Sequence, residues 1–166
     1  MTYFGALALF IGPPLVALAL LTLYDCRRGR PLARTGLRSS PAIAVVLVHV
    51  AIALIYTTPW DNYLVATGVW WYNPALVTGV TLGWVPIEEY TFFVVQTLLS
   101  GLWLLALSRH VFPAPPVEPP RPALRRSSTL ALGVVWLASV GVLLSGWDAG
   151  RYLGLILVWA LPPIML

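Results

Sequence analysis

Pro86-Ile87-Glu88-Glu89-Tyr90 interrupts an otherwise uncharged apolar run that extends from about Asn73 to Ser108. Two adjacent carboxyl groups beside a proline stand out there, because an ionisable side chain at membrane depth is costly and marks a candidate functional site. Composition supplies the membrane. Of 166 residues 59% are hydrophobic, 10% are charged and eight are tryptophan, and a chain of this size has too little interior to hide so much apolar surface from water. The expected fold class is an all-α integral membrane protein with about five transmembrane helices.

Working outward, the apolar region Pro74 to Leu107 is too long for one straight span at about 1.5 Å per residue, and Pro86 divides it. A Gly-rich, re-entrant or interfacial segment is expected over Pro74 to Trp84, then a helix from about Pro86 to Leu107, with proline suited to the first turn. The first run, Tyr3 to Tyr24, is long enough to cross a hydrocarbon core of ~30 Å. It lacks a preceding basic residue and a small-residue cleavage pattern, so it reads as a retained helix kinked at Pro13-Pro14 rather than a signal peptide. Further runs cover Pro41 to Thr58, with His49 in its middle, Thr129 to Ser145, and Tyr152 to Leu166.

All ten basic residues are arginine. Arg27, Arg28, Arg30, Arg34 and Arg38 follow the first span, and Arg109, Arg121, Arg125 and Arg126 follow the third, whereas 59–74 has no basic residue and 146–151 has only Arg151. The excess of arginine in cytoplasmic loops places the N-terminus outside the cytoplasmic membrane. It also accounts for the formal charge of +4, and no nucleic-acid motif accompanies it. The single cysteine, Cys26, excludes an internal disulfide and a thiol metal cluster.

Two short stretches echo each other. Tyr152-Leu153-Gly154 followed by Pro162-Pro163 repeats the order of Tyr3-Phe4-Gly5 followed by Pro13-Pro14, and Trp147-Asp148 repeats Trp60-Asp61. The expected organisation is a first repeat over 1–108, an Arg/Pro-rich cytoplasmic linker over 109–128, and the start of a second, incomplete repeat over 129–166.

Neighbouring helical residues point about 100° apart, so Glu88 and Glu89 take different surroundings: Glu88 shares a face with Phe92 and, a further turn on, Gln96, and Glu89 lies above Phe93 and near Gln96 and Ser100. A carboxyl group in an apolar pocket retains its proton and can act as an acid, while a neighbour nearer water or a helix N-terminus stays ionised. Phe92, Phe93, Trp84 and Tyr90 would offer π-faces to a developing cation. The residues support equally a second reading, in which both glutamates merely favour the helix dipole at the first turn. Trp60, Tyr63, Trp70, Trp71 and Tyr72 read as an interfacial aromatic belt, and His49 as an interhelical hydrogen-bonding residue. No dinucleotide, phosphate-loop, metal or Ser-His-Asp pattern is present.

Pro86-Ile87-Glu88-Glu89-Tyr90-Thr91-Phe92-Phe93-Val94-Val95-Gln96-Thr97 resembles the Pro-x-Glu-Glu-x-x-Phe-Phe-x-x-Gln-Thr signature of the heterodimeric and fungal-type lycopene cyclase family, and Trp60-Asp61-Asn62-Tyr63, Trp70-Trp71-Tyr72 and Tyr152 to Pro162 are similar to flanking elements of that family. The resemblance implies redox-neutral closure of the ends of a linear carotenoid such as lycopene to β- or ε-ionone rings, by small membrane proteins. In bacteria two such chains act together, so a second cyclase-type subunit, or a C-terminal half, is an implied partner alongside the carotenoid and membrane lipid. With that chemistry, Glu88 and Glu89 are the expected acid/base pair; Asp61, which follows the second span on the same side and which a short loop could bring near, is an expected third catalytic carboxylate, and Phe92, Phe93, Gln96, Trp84 and Tyr90 are expected to contact substrate. No cofactor is evident, and a non-consumed reduced flavin or nicotinamide stays open. The competing readings are a transporter or proton-relay half and a non-catalytic structural subunit.

Overall fold

A bilayer offers no water to backbone amides, and helices satisfy those groups internally. The computed structural model describes residues 1–29, 39–111 and 121–166, and these are helical apart from turns and one long loop. The chain divides into two units, Met1–Pro116 and Val117–Leu166. Four helices among the described residues are long and apolar enough to cross a membrane. Arg30, Arg34 and Arg38, and linker residues 112–120, lie outside the described residues.

In the first unit, α1 covers Tyr3–Arg27, α2 Ser39–Ala66 and α3 Ile87–His110. Thr2 caps α1 by accepting the Gly5 amide through Oγ1. The kink expected at Pro13-Pro14 takes the form of a π turn over Leu7–Ile11, in which the Gly12 amide reaches back to the Leu7 carbonyl. Prolines cannot donate and their rings crowd the carbonyl four residues back, and a widened turn relieves both problems. α2 corrects a sequence expectation: it does not end near Thr58 but passes Pro59 and continues to Ala66, so Trp60-Asp61-Asn62-Tyr63 is helical.

The core of this unit joins Leu18 of α1, Ala42 and Val46 of α2, and Leu102 and Leu105 of α3. Gly101 lets α3 approach α2, since a Cβ there would stand 2.7 Å from Val46 Cγ1. At the C-terminal ends of α1 and α3, Asp25 is fully buried, with Oδ2 2.8 Å from His110 Nε2 and 3.7 Å from an Arg109 guanidinium nitrogen.

The expected re-entrant segment is a loop closed by a two-strand hairpin, β1 Thr81–Leu82 and β2 Val85–Pro86, with Leu82 opposite Val85. Gly83 has φ +69°, as the first position of a tight II′-type turn demands. Pro86 is the extended N-cap of α3 rather than part of its first turn.

The second unit is a hairpin of α4, Pro122–Leu144, and α5, Asp148–Met165; residues 122–128 of the expected linker are thus helical. α5, the fifth expected span, is an 18-residue helix carrying Asp148 in its first turn. Gly150 and Gly154 face α4, where a Cβ would meet Val142 and Leu143 respectively at under 3 Å. Pro162 leaves the Val158 carbonyl without its helical donor, and the Trp136 indole N–H donates to it at 3.0 Å.

Because Val46 is β-branched and stiff, Gly101→Ala should cost about 1–3 kcal/mol by overpacking. Thermal unfolding in detergent micelles should show the loss, and Val46→Ala added to Gly101→Ala should restore most of it.

Candidate active site

Four segments meet above the N-terminus of α3: the start of α1, the last turns of α2, the stretch around Tyr72, and the hairpin loop. Asn62, one turn from the end of α2, organises the loop. Its Oδ1 accepts the Trp84 amide at 2.7 Å, and its Nδ2 donates to the Tyr90 hydroxyl at 2.9 Å and to the Thr58 carbonyl at 2.9 Å. Tyr90 in turn donates to the Leu82 carbonyl at 2.8 Å. A side chain on Gly83 would run into Asn62, so this turn needs glycine for space as well as for its backbone angle.

The two glutamates turn to different partners. Glu88, 1% exposed, accepts the Thr78 amide through Oε1 at 2.5 Å and so pins the loop to the start of α3. Glu89, 7% exposed, accepts the Tyr3 hydroxyl through Oε2 at 2.6 Å. The Tyr3 amide also donates to the Leu76 carbonyl at 2.8 Å, so the chain's first helical residue is tied both to the loop and to the carboxyl group. Asp61, 5% exposed, lies within range of the Glu89 charge. Asp61 Oδ2 and Glu88 Oε2 are buried with no hydrogen-bond partner among the described residues, which leaves acceptor capacity facing the site.

Tyr72 closes the cluster. Burial first, then the neighbouring Glu89 and Asp61 carboxyl groups, push its phenol above the ordinary tyrosine range, so at every physiological pH it keeps its proton and can act only as a neutral hydroxyl.

Asp61 stands on helical backbone in the last turns of α2, not on a loop between the second span and α3. Phe92 and Phe93 are half-buried and meet edge to face, and Phe93 also meets the Tyr90 ring at 6.0 Å. Gln96 donates to Ser100 Oγ at 3.5 Å, one turn along α3. Tyr90 is buried, and its hydroxyl serves the loop. Trp84, expected at the substrate, enters the network through its backbone amide while its side chain is 64% exposed. His49 bonds to the Val45 carbonyl of its own helix, not across helices. Tyr3, Tyr72, Thr78 and Asn62 were missed as site residues. Tyr3 carries a signal only through the repeated Tyr-x-Gly, and Tyr72 has the sequence character of an interfacial belt residue. Among the described residues no group of three or more His, Cys, Asp and Glu side chains is arranged to hold a metal ion.

The sequence model of the family described as Lycopene cyclase matches residues 15–107, more than half of the chain and the whole α1–α3 framework from Leu15. The chain belongs to the lycopene cyclase family. It is 42% identical over 167 residues to the "Lycopene beta-cyclase" of Halobacterium salinarum, which covers 99% of this chain and 63% of that protein. It is 39% identical over 117 residues to the "Bifunctional lycopene cyclase/phytoene synthase" of Sporisorium reilianum, covering 69% of this chain and 17% of that protein. The protein of the same name from Colletotrichum graminicola is 41% identical over 121 residues, 69% of this chain and 20% of its own. The chain thus spans less than two thirds of the length of these relatives. No solved structure matches it.

The split between the glutamates is testable without activity. Glu88→Ala should speed amide hydrogen exchange and limited proteolysis across 74–84, whereas Glu89→Ala should leave that loop protected. Equal protection in both variants would contradict the assignment of Glu88 as the loop's anchor.

Proposed function

We propose that this chain is a lycopene cyclase or a subunit of one, and that the Glu89–Asp61 pair with Tyr3 and Tyr72 is its proton-transfer centre. The observation that carries the reading is the convergence of two buried carboxyl groups and two phenols at one end of a membrane bundle. A buried carboxyl group beside a second carboxyl group can hold a proton ready for transfer in a low-dielectric site. That proton is the acid.

Delivered to the terminal double bond of a linear carotenoid, it creates a tertiary carbocation. The adjacent double bond attacks, a six-membered ring closes, and loss of a proton from a ring carbon gives a β- or ε-ionone end. One proton enters and one leaves, so the carboxylate formed in the first step can take back the second and the pair is regenerated. No electrons are gained or lost. The neutral phenol of Tyr3, which donates to Glu89, stabilises the carboxylate while it lacks the proton, a charge-assisted interaction stronger than an ordinary hydrogen bond, and the Tyr72 phenol stands in the same cluster. Phe92 and Phe93 line the neighbouring face of α3, where their π-faces can support the cation. Glu88 holds the loop that keeps water from the cation.

The matched relatives extend beyond the stretch this chain spans, and the partner in this proposal is a second cyclase-type subunit or a C-terminal half. The test is expression in lycopene-producing cells, alone and with the neighbouring reading frame, with pigments separated by chromatography. Cyclised carotenoid in either arm supports the reading, and unchanged lycopene in both sinks it. In the active arm, Glu89→Gln and Asp61→Asn should each reduce ring formation at least about 100-fold, as loss of a catalytic acid does. Tyr3→Phe, which removes one hydrogen bond to a charged group, should reduce it about 10- to 100-fold. All three proteins should accumulate in the membrane at wild-type levels.

A further inference from the structure

α3 has two faces. Leu98, Leu102 and Leu105 pack inward on α1 and α2. On the opposite side Glu89, Phe93, Gln96, Ser100, Trp103 and Leu107 follow one another at intervals of four and three residues, which keeps them in a single line along the helix. The line starts in the carboxyl cluster. Its far end forms the floor of a groove of about 430 Å³ lined by Ser100, Trp103 and Leu107 and walled on the α1 side by Pro14. From Glu89 to Leu107 the line measures about 27 Å, at about 1.5 Å per residue, nearly the thickness of the hydrocarbon core.

We propose that this line is the seat of the substrate's polyene, with the reacting end group at Glu89 and the rest of the conjugated chain lying along α3 into the groove beside Trp103. The chemistry of the occupant rests on the cyclase reading above; the geometry points to its shape. The surface is straight and continuous with the proton-transfer centre, and it is apolar except at Gln96 and Ser100, which bond to each other. Aromatic rings stand at both parts of it, Phe93 near the carboxyl group and Trp103, 54% exposed, in the groove. A rigid conjugated rod loses little conformational freedom on such a surface and offers a π-face along its length, whereas a flexible acyl chain would lose many rotamers for the same contact. A seat that runs the full height of α3 also fixes the depth of the end group, so the terminal double bond arrives at Glu89 rather than above or below it.

The test uses full-length Glu89→Gln protein in phosphatidylcholine nanodiscs, which should bind lycopene without converting it, read as induced circular dichroism in the visible polyene bands. Saturable binding is expected, weakened at least about tenfold when Ser100→Trp fills the groove and unchanged by Leu130→Trp on the exposed surface of α4. A second measurement avoids a bulky side chain. In a Cys26→Ser background, the thiol of Ser100→Cys should react with a small maleimide and be protected by added lycopene. Binding that ignores Ser100→Trp, a thiol that stays reactive in the presence of bound lycopene, or one already protected by lipid or protein without it would each overturn the seat. The cyclase reading fails separately: lycopene protecting the thiol while the wild-type chain and its neighbour form no rings leaves the seat standing. Conversely, ring formation by Ser100→Trp at wild-type KM removes the seat and leaves the cyclase.

Discussion

Two polar ties, one at each end, hold α1 against α3, and the depth of Glu89 in the membrane follows from them. In a bilayer the surrounding lipid is as apolar as leucine, so burying Leu18 or Leu102 gives little drive for helices to associate and still less to choose a register. Polar contacts decide it. At one end the Tyr3 hydroxyl donates to Glu89, and at the other Asp25 lies between His110 and Arg109. The ties are 22 residues apart on α1 and 21 on α3 by their numbers (25 − 3 and 110 − 89). Two parallel helices tied at matching separations cannot slide. The depth of Glu89 is therefore set partly by a cluster at the opposite end of the helix.

The prolines show the same constraint acting on the backbone. Each one removes a donor where no water can replace it, and the described residues resolve the loss in different ways. α1 shifts to a π turn ahead of Pro13. The carbonyl that Pro162 leaves without a donor accepts the indole of Trp136 from the neighbouring helix. Pro86 stands outside α3 at the N-cap, where no helical donor is required of it. A membrane helix tolerates proline to the extent that its neighbours supply what proline lacks.

This explains what was legible in the sequence and what was not. The number and order of helices could be read from apolar length, and the break before α3 from Pro86, because both are properties of a single segment. Helix ends were less legible: Pro59 marked a stop by composition, yet α2 runs on to Ala66 because the following residues pack against the loop and α3 and keep the helix wound. The carboxyl groups were visible as polar residues in apolar sequence, and their divergence followed from the helical angle alone. Their partners were hidden, since Tyr3 is 86 positions from Glu89 and a tyrosine near a span end has an interfacial explanation that needs no partner. Asn62 was hidden differently. It lies next to Asp61, and two of its three hydrogen bonds reach residues 22 and 28 positions away, which no local pattern marks.

Adjacency of the two glutamates then has a physical reason. A cation formed in the site must be shielded from water, and the shield must be fixed to the same rigid element that carries the acid, or the two will move independently. Consecutive positions at the start of one helix meet that need, because a 100° turn sends one side chain to the loop and the next to the carboxyl cluster. Glu88 accepts the Thr78 amide, where a helix N-terminus favours an anion. Glu89, one residue on, is turned toward Asp61 and the two phenols. Pro86, immediately before them, ends the hairpin that forms the cover. The end of the loop, its fastening and the acid thus fall within four consecutive residues, and an insertion of one residue between Pro86 and Glu89 would rotate the carboxyl group away from the cluster while leaving both glutamates in the sequence.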